Sequence, residues 1–272
     1  MIQDAGSVDF LYGRMAPFGY GFHMLLARLL KQLLSSNRGP ANVTEGPLGH
    51  AANRSMTDYS FSTDWFSCHI PVWKLLIGEI HSISKILEVG SYEGRSTTWL
   101  IENAFRTSGK GEIFCIDPWT GGIEHQATDM SGLEERFKRN IEIAKSRTSA
   151  EITVTPLKGL SIDHLIALIA NGHRLSFDLI YIDGSHECPD VLNDLVLSFQ
   201  LCKVGGLIIC DDYLWSRETH GSEDLLHQPK LAIDSFVNCY RRKLFLYNTI
   251  LSQIYIKKTR SEERRVGKEC RL

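Results

Sequence analysis

Short apolar runs alternate with amphipathic segments along most of this chain. The runs at residues 86–89, 112–117, 152–157, 177–183 and 206–211 are typical of buried strands, and the segments 96–105, 132–146, 161–170, 189–202 and 231–240 are typical of helices. A further helix is predicted to start near Pro71, and residues 244–250 and 253–258 are predicted to be two closing strands joined by a tight turn. This alternation predicts an α/β protein with a doubly wound parallel sheet, in which ligands bind at the carboxyl ends of the strands.

The first 57 residues carry one clear pattern. Apolar residues recur at helical spacing over residues 22–34, which predicts an amphipathic helix, and residues 35–53 are rich in Gly, Pro, Asn and Ser, which favours a linker. The helix is too short and too charged to span a bilayer. Packing on the domain or on a second subunit is the first interpretation, and a role as a membrane-surface helix or substrate lid is the second.

Charge and cysteine content narrow the functional class. The formal net charge of −2 argues against a general nucleic-acid binder, which would carry a strongly basic face. The seven cysteines form no CxxC pair, and several lie in apolar runs. They are therefore predicted to be buried thiols in a reducing compartment, which indicates a cytoplasmic protein.

The stretch KILEVGSYEGRST, from Lys85, predicts a strand, a turn with two glycines and a helix N-terminus. Such a corner is suited to nucleotide binding, because bare backbone lets a ligand approach and unpaired N–H groups face it. Glu88 is unexpected near the end of a buried strand. A buried carboxylate is costly without hydrogen bonds, so Glu88 is predicted to face a polar or cationic group of a ligand.

Further carboxylates follow the ends of other predicted strands. Asp117 lies about twenty residues beyond the glycine turn, where α/β nucleotide-binding folds place an acid that accepts hydrogen bonds from ribose. The alternative is that Asp117 caps a turn, helped by Pro118.

Asp183, Asp211 and Asp212 are predicted to converge at one edge of the sheet. Three such acids repel one another unless protons or a cation compensate them, which favours magnesium, manganese or calcium. Alternatively, they only order a loop and cap a turn.

Four motifs in order, ILEVGSYEGRST, FCIDPW, FDLIYIDGSH and GGLIICDDY, resemble the class I S-adenosylmethionine-dependent methyltransferases. The resemblance covers about residues 58–258 and is greatest to the branch of metal-dependent O-methyltransferases that act on sugars and other small molecules. It implies a Rossmann-like, seven-stranded sheet, mostly parallel with an antiparallel last strand. A dehydrogenase is disfavoured, because Tyr92 and Arg95 stand where its fingerprint requires glycines.

The resemblance also implies site residues. Asp183, Asp211 and Asp212 match metal ligands, and His186 matches a histidine that serves as the base in some sugar O-methyltransferases. Tyr213 and Trp215 are expected to border the acceptor pocket. The positions expected to bind S-adenosylmethionine are Glu88, Gly90, Ser91, Tyr92, Gly94, Ser96, Asp117, Pro118, Trp119, Gly159, Leu160, Ser161 and Asp183.

The resulting hypothesis is methyl transfer from S-adenosylmethionine to a hydroxyl of a small molecule, such as a sugar or phenol, with magnesium or another divalent cation. Metal-free O- or N-methylation and a non-catalytic S-adenosylmethionine-binding module are the alternatives. The expected partner is a small-molecule acceptor rather than nucleic acid or membrane, with a homodimer formed through the N-terminal helix.

The predicted organisation has three parts: a helix and linker over residues 1–57, a methyltransferase domain over 58–259, and a tail over 260–272. The tail contains RSEERRVGKEC, which resembles the translation of a sequencing-library adapter. It is therefore set apart from the fold, and the natural C-terminus is expected to be missing.

Overall fold

The computed structural model describes residues 58–122, 125 and 129–260. The predicted helix at residues 22–34 and nearly all of the tail lie outside the described residues. The division into three parts therefore stays a prediction at both ends.

Helices and strands alternate within the described part of the chain, as the hydrophobic pattern predicts. The helices are α1 (Ile70–Gly78), α2 (Arg95–Asn103), α3 (Leu133–Ser146), α4 (Ser161–Ala170), α5 (Cys188–Leu201) and α6 (Pro229–Tyr240), and the strands are β1 (Lys85–Val89), β2 (Lys110–Asp117), β3 (Glu151–Lys158), β4 (Phe177–Ile182), β5 (Cys202–Cys210), β6 (Leu244–Leu246) and β7 (Ile254–Lys258). Two 3-10 turns, Ser67–His69 and Leu225–His227, precede α1 and α6.

The seven strands form one sheet in the order β3-β2-β1-β4-β5-β7-β6. Strands β1 to β5 are parallel, and β7 runs antiparallel to both β5 and β6. The predicted fold class is thus confirmed, including the antiparallel last strand. The order reverses between β1 and β4, so the carboxyl ends of these two strands border the crevice where ligands bind in such sheets.

The sheet is covered on both faces. On one face, α4, α5 and α6 pack on a cluster that includes Leu87, Ile180 and Phe199. Side chains alternate along a strand, so Glu88 and Tyr181 point to the other face. Trp73 of α1 meets Tyr181 there with ring centroids 4.8 Å apart. Because β4 is buried along its whole length, the groups that follow it start from a fixed position.

Two predicted strands have different limits. β5 begins at Cys202 rather than residue 206, and its pairing with β4 is irregular between Phe177 and Leu179. β6 ends at Leu246, so seven residues rather than a tight turn lead to β7. The apolar residues after Leu246 suggested a longer strand, but Ile250 and Leu251 are exposed. Among the described residues, none of the helices has the length and apolar character needed to cross a bilayer.

Asp194 is a buried acid in the middle of α5. Neither carboxylate oxygen accepts a hydrogen bond of standard geometry from a described residue. Burial raises its pKa from 3.8 to about 7, and Ser161 opposes this only in part. Because the folded state holds this proton more tightly than the unfolded state, the neutral form stabilises the fold and ionisation weakens it.

We expect the contribution of Asp194 to the free energy of unfolding to fall as pH rises from about 4 to about 7 and to be fully present below this window. A pKa unit corresponds to ~1.4 kcal/mol, so Asp194→Asn should remove about 2 to 4 kcal/mol of this pH dependence. Urea unfolding at pH 5 and pH 7.5, followed by tryptophan fluorescence, measures it. Exposed Asp163, replaced by Asn, is the control, and equal pH dependence in both variants would contradict the assignment.

Candidate active site

The glycine turn after β1 lies directly against the end of β4. Gly90 has φ +84°, and a Cβ at this position would lie 1.8 Å from the backbone oxygen of Asp183. Asp183 N in turn donates to Val89 O at 2.8 Å. Only glycine fits this contact, so the turn and the loop after β4 are joined through their backbones.

The Glu88 carboxylate is fully buried and supports this turn. It accepts hydrogen bonds from the hydroxyls of Ser91 (2.8 Å), Ser96 (2.6 Å) and Thr97. Burial raises the pKa of Glu88, and these hydroxyls oppose the rise. Glu88 thus connects the turn and the first turn of α2 to β1. Its contact with a ligand stays a prediction.

Asp117, at the end of β2, holds the same turn from the other side. Its Oδ2 accepts from the backbone N–H groups of Ser91 and Tyr92, both at 2.8 Å, and its Oδ1 accepts from Trp119 N at 2.5 Å. These bonds make Asp117 a cap of the turn, which is the alternative that the sequence offered. Ribose binding stays a prediction; Oδ1 keeps a lone pair that could accept a hydrogen bond from a ribose hydroxyl.

Five further positions expected to bind S-adenosylmethionine lie near Asp117 but differ in exposure. Trp119 is 4% exposed, packs on Phe137, and donates from Nε1 to Tyr92 O at 3.0 Å, so little of its face is open to a ligand. Pro118 is half-buried beside it. Gly159 N donates to Asp117 O at 3.1 Å, and Leu160 is exposed just before Ser161 opens α4.

The edge formed by β4 and β5 brings the three predicted metal-binding acids together with Tyr181. The Tyr181 hydroxyl contacts Asp183 Oδ2 at 2.8 Å and also Asp211 Oδ2. Asp211 Oδ2 accepts a further bond from Gln253 Nε2 at 2.8 Å. Burial and the charges of Asp211 and Asp212 raise the pKa of Asp183 well above its usual range. One tyrosine proton shared between two carboxylates offsets little of their mutual repulsion, which favours an additional proton or a cation at this edge.

Asp212 pairs with His186 instead. His186 Nε2 lies 2.7 Å from Asp212 Oδ2, and the imidazole stacks on Trp215 at 4.3 Å between ring centroids. Donor atoms of Asp183, His186 and Asp212 all lie within 4.8 Å of one another. The geometry of the described residues therefore places His186, rather than Asp211, in the set that can hold a metal ion.

His69 and Gln253 also lie beside Asp211, although no motif in the sequence marks either residue. His69 Nε2 lies 4.0 Å from Asp211 Oδ1. Gln253 is fully buried, and its Oε1 accepts from Trp73 Nε1 at 2.9 Å and from the Tyr255 hydroxyl at 2.5 Å. In the sequence, His69 only precedes a predicted helix, and Gln253 only begins a predicted apolar strand. Neither position by itself indicates a contact with Asp211.

Residues 87–213 match the family model described as a methyltransferase domain. These residues are a methyltransferase domain. The resemblance to class I S-adenosylmethionine-dependent methyltransferases is confirmed at this level, and the match contains the glycine turn, Asp117 and the whole β4–β5 edge.

Curated relatives of the methyltransferase domain match over part of their length. Uncharacterized protein R132 of Acanthamoeba polyphaga mimivirus is 29% identical over 127 residues, which are 47% of this chain and 50% of that protein. O-methyltransferase hkm8 of Aspergillus hancockii is 26% identical over 133 residues, 49% of this chain and 44% of that protein. The chain thus spans about half the length of the curated relatives it matches.

The solved structure of the O-methyltransferase NovP is similar in fold. It superposes with a TM-score of 0.51 at 14% identity, over 71% of this chain and 80% of that chain. At this identity the likeness concerns the fold, which agrees with the sheet order described above.

Replacing Glu88 tests its role in the methyltransferase domain. Glu88→Ala leaves three buried hydroxyls without their acceptor and opens a cavity, so we expect a loss of about 2 to 4 kcal/mol in the free energy of unfolding. Glu112→Ala on the neighbouring strand, whose ion pair with Lys85 is half-exposed, should lose less than about 1 kcal/mol. Chemical denaturation measures the free energy of unfolding of both variants. Similar losses of stability in the two would refute the role of Glu88.

Proposed function

We propose that this chain transfers a methyl group from S-adenosylmethionine to a hydroxyl of a small molecule. The observation that carries the proposal is the His186–Asp212 pair, which lies beside Asp183 at the carboxyl edge of a methyltransferase domain. The similarity to hkm8, named as an O-methyltransferase, supports oxygen as the acceptor atom. Sugars and phenols are the acceptor classes that we propose.

The glycine turn is the proposed cofactor site. Glu88 of β1 accepts from the Ser91 hydroxyl and Asp117 of β2 accepts from the Ser91 N–H, so the turn is held from both sides without a ligand. Such preorganisation favours binding, because the turn need not be ordered when the cofactor arrives. S-adenosylmethionine carries its own leaving group, and the protein's task is to align the acceptor oxygen, the methyl carbon and the sulfur.

His186 is the proposed base. The acceptor O–H transfers its proton to the imidazole as the oxygen attacks the methyl carbon, and the S–CH₃ bond breaks to leave a neutral thioether. An imidazole that donates from Nε2–H to Asp212 has its lone pair on Nδ1, which is buried, so the acceptor hydroxyl must pack directly against this atom to transfer its proton. The Asp212 carboxylate then stabilises the imidazolium, and stacking on Trp215 fixes the ring plane.

A divalent cation fits the donor set of this edge. Asp183 and Asp212 are the carboxylates that would hold it, with His186 as the third donor if that residue does not serve as the base. Tyr181 and Gln253 occupy Asp211 Oδ2, so this residue could join the set only through Oδ1. When bound, such an ion would lower the pKa of an acceptor hydroxyl.

Calorimetric titration of S-adenosylmethionine, with and without MgCl₂, tests the cofactor and the metal together. We expect cofactor binding by wild type and a separate magnesium site that Asp183→Asn abolishes. Cofactor binding without a magnesium site would favour metal-free methylation of oxygen or nitrogen. A folded protein that does not bind the cofactor would refute the proposal.

His186→Ala tests the base. Removing a general base typically costs about 10² to 10⁴ in rate, so we expect kcat to fall by about that factor while the dissociation constant of S-adenosylmethionine changes less than about threefold. Asp212→Asn should have a smaller effect, because the imidazole remains. Detection of S-adenosylhomocysteine measures turnover on a panel of sugars and phenols. Unchanged turnover in His186→Ala would exclude this base, and cofactor binding without turnover of any panel member would favour a non-catalytic binding module.

A further inference from the structure

His69 and Asp211 face each other across a gap that matches one bound oxygen. Their nearest atoms, His69 Nε2 and Asp211 Oδ1, are 4.0 Å apart, which is too far for a hydrogen bond. An oxygen at ~2.8 Å from both atoms would subtend an angle of about 90°, which is acceptable for a hydroxyl. Such a group can donate to the carboxylate and accept from the imidazole N–H.

The Asp211 carboxylate can accept a hydrogen bond from such a hydroxyl. Asp211 Oδ2 is occupied by Tyr181 and Gln253, whereas its Oδ1 accepts only the adjacent N–H of Asp212 among the bonds described, at 2.8 Å. Oδ1 therefore keeps a lone pair. The side chains of Asp211 and His69 are 10% and 12% exposed, so a hydroxyl between them would be largely removed from water.

The two partners are also fixed relative to each other. His69 immediately precedes α1, and Trp73 of that helix is completely buried. Trp73 Nε1 donates to Gln253 Oε1, and Gln253 Nε2 donates to Asp211. One glutamine thus connects the helix that carries His69 with the acid that His69 faces, so the gap is a built feature of the fold.

The gap lies next to the proposed reaction centre. Asp211 and Asp212 are consecutive residues, and Asp212 bonds His186. Tyr181 contacts both Asp183 and Asp211, which keeps these carboxylates within a few ångströms of each other. A small acceptor with one hydroxyl at His186 can therefore place a second hydroxyl in the gap.

We propose that His69 and Asp211 together bind a second, unmethylated hydroxyl of the acceptor, so that the acceptor is a diol or polyol. The inference rests on the proposed function and assigns His69 as a specificity-determining binding residue. The hydrogen bond between His69 and this second hydroxyl forms in the ground state as well as in the transition state. Loss of the bond therefore raises KM more than it lowers kcat.

Matched acceptors that differ by one hydroxyl provide the test: 1,2-dihydroxybenzene against phenol, and methyl glycosides against their monodeoxy analogues. In wild type we expect kcat/KM to be about 10- to 100-fold higher for the compound with the second hydroxyl, since a hydrogen bond to a charged group contributes that much. In His69→Leu the ratio should fall to within about threefold, mainly through KM.

Amide variants make the test specific for one nitrogen of the ring. The amide nitrogen of Gln can occupy the position of Nε2, whereas that of Asn corresponds to Nδ1. His69→Gln should therefore keep most of the preference and His69→Asn should lose it. His81→Gln, an exposed histidine beyond the other end of α1, should behave as wild type.

S-adenosylmethionine binding is measured for every variant and should not change. Three outcomes would overturn the assignment of His69 while cofactor binding persists: equal turnover of both members of each pair, a preference that survives His69→Leu, or no turnover of any diol. A wild-type protein that does not bind S-adenosylmethionine would instead remove the proposed function, and this inference with it.

Discussion

The organisation of this domain depends on carboxylates buried at the carboxyl edge of its sheet. An ionised carboxylate cannot remain in an apolar interior without hydrogen bonds or compensating charge. Glu88 and Asp117 meet this requirement with hydroxyls and backbone amides of the glycine turn. Asp211 and Asp212 meet it with Gln253 and His186. Each acid therefore fixes the segment that satisfies it, and together these segments form the walls of the candidate site.

The requirement extends to parts of the chain that are distant in sequence. Gln253 immediately precedes β7, and its amide oxygen accepts from Trp73 and Tyr255, so its amide nitrogen is directed at Asp211. The antiparallel β7 is thus more than a cover for the sheet edge. It positions Gln253, which orients the acid that follows β5 and connects that acid to α1.

The sequence predicted the strands, the helices and the sheet class well, because buried parallel strands and amphipathic helices have distinct periodicities. It also predicted that Asp183, Asp211 and Asp212 would converge, since the ends of adjacent parallel strands meet. It could not predict which side chains would contact each carboxylate. The contacts of His69, Tyr181 and Gln253 depend on how distant parts of the chain pack together, and the local sequence pattern does not show this. The end of β6 was missed because apolar residues continue into an exposed loop, and the start of β5 was missed because Gly205 and Gly206 weaken the strand pattern there.

The contact of Gly90 with Asp183 has a mechanical consequence. The turn that faces the proposed cofactor and the loop that faces the proposed acceptor touch through their main chains, with no side chain between them to absorb a displacement. A shift of one by a fraction of an ångström must be transmitted to the other. The positions of the two halves of the site are therefore coupled through the backbone.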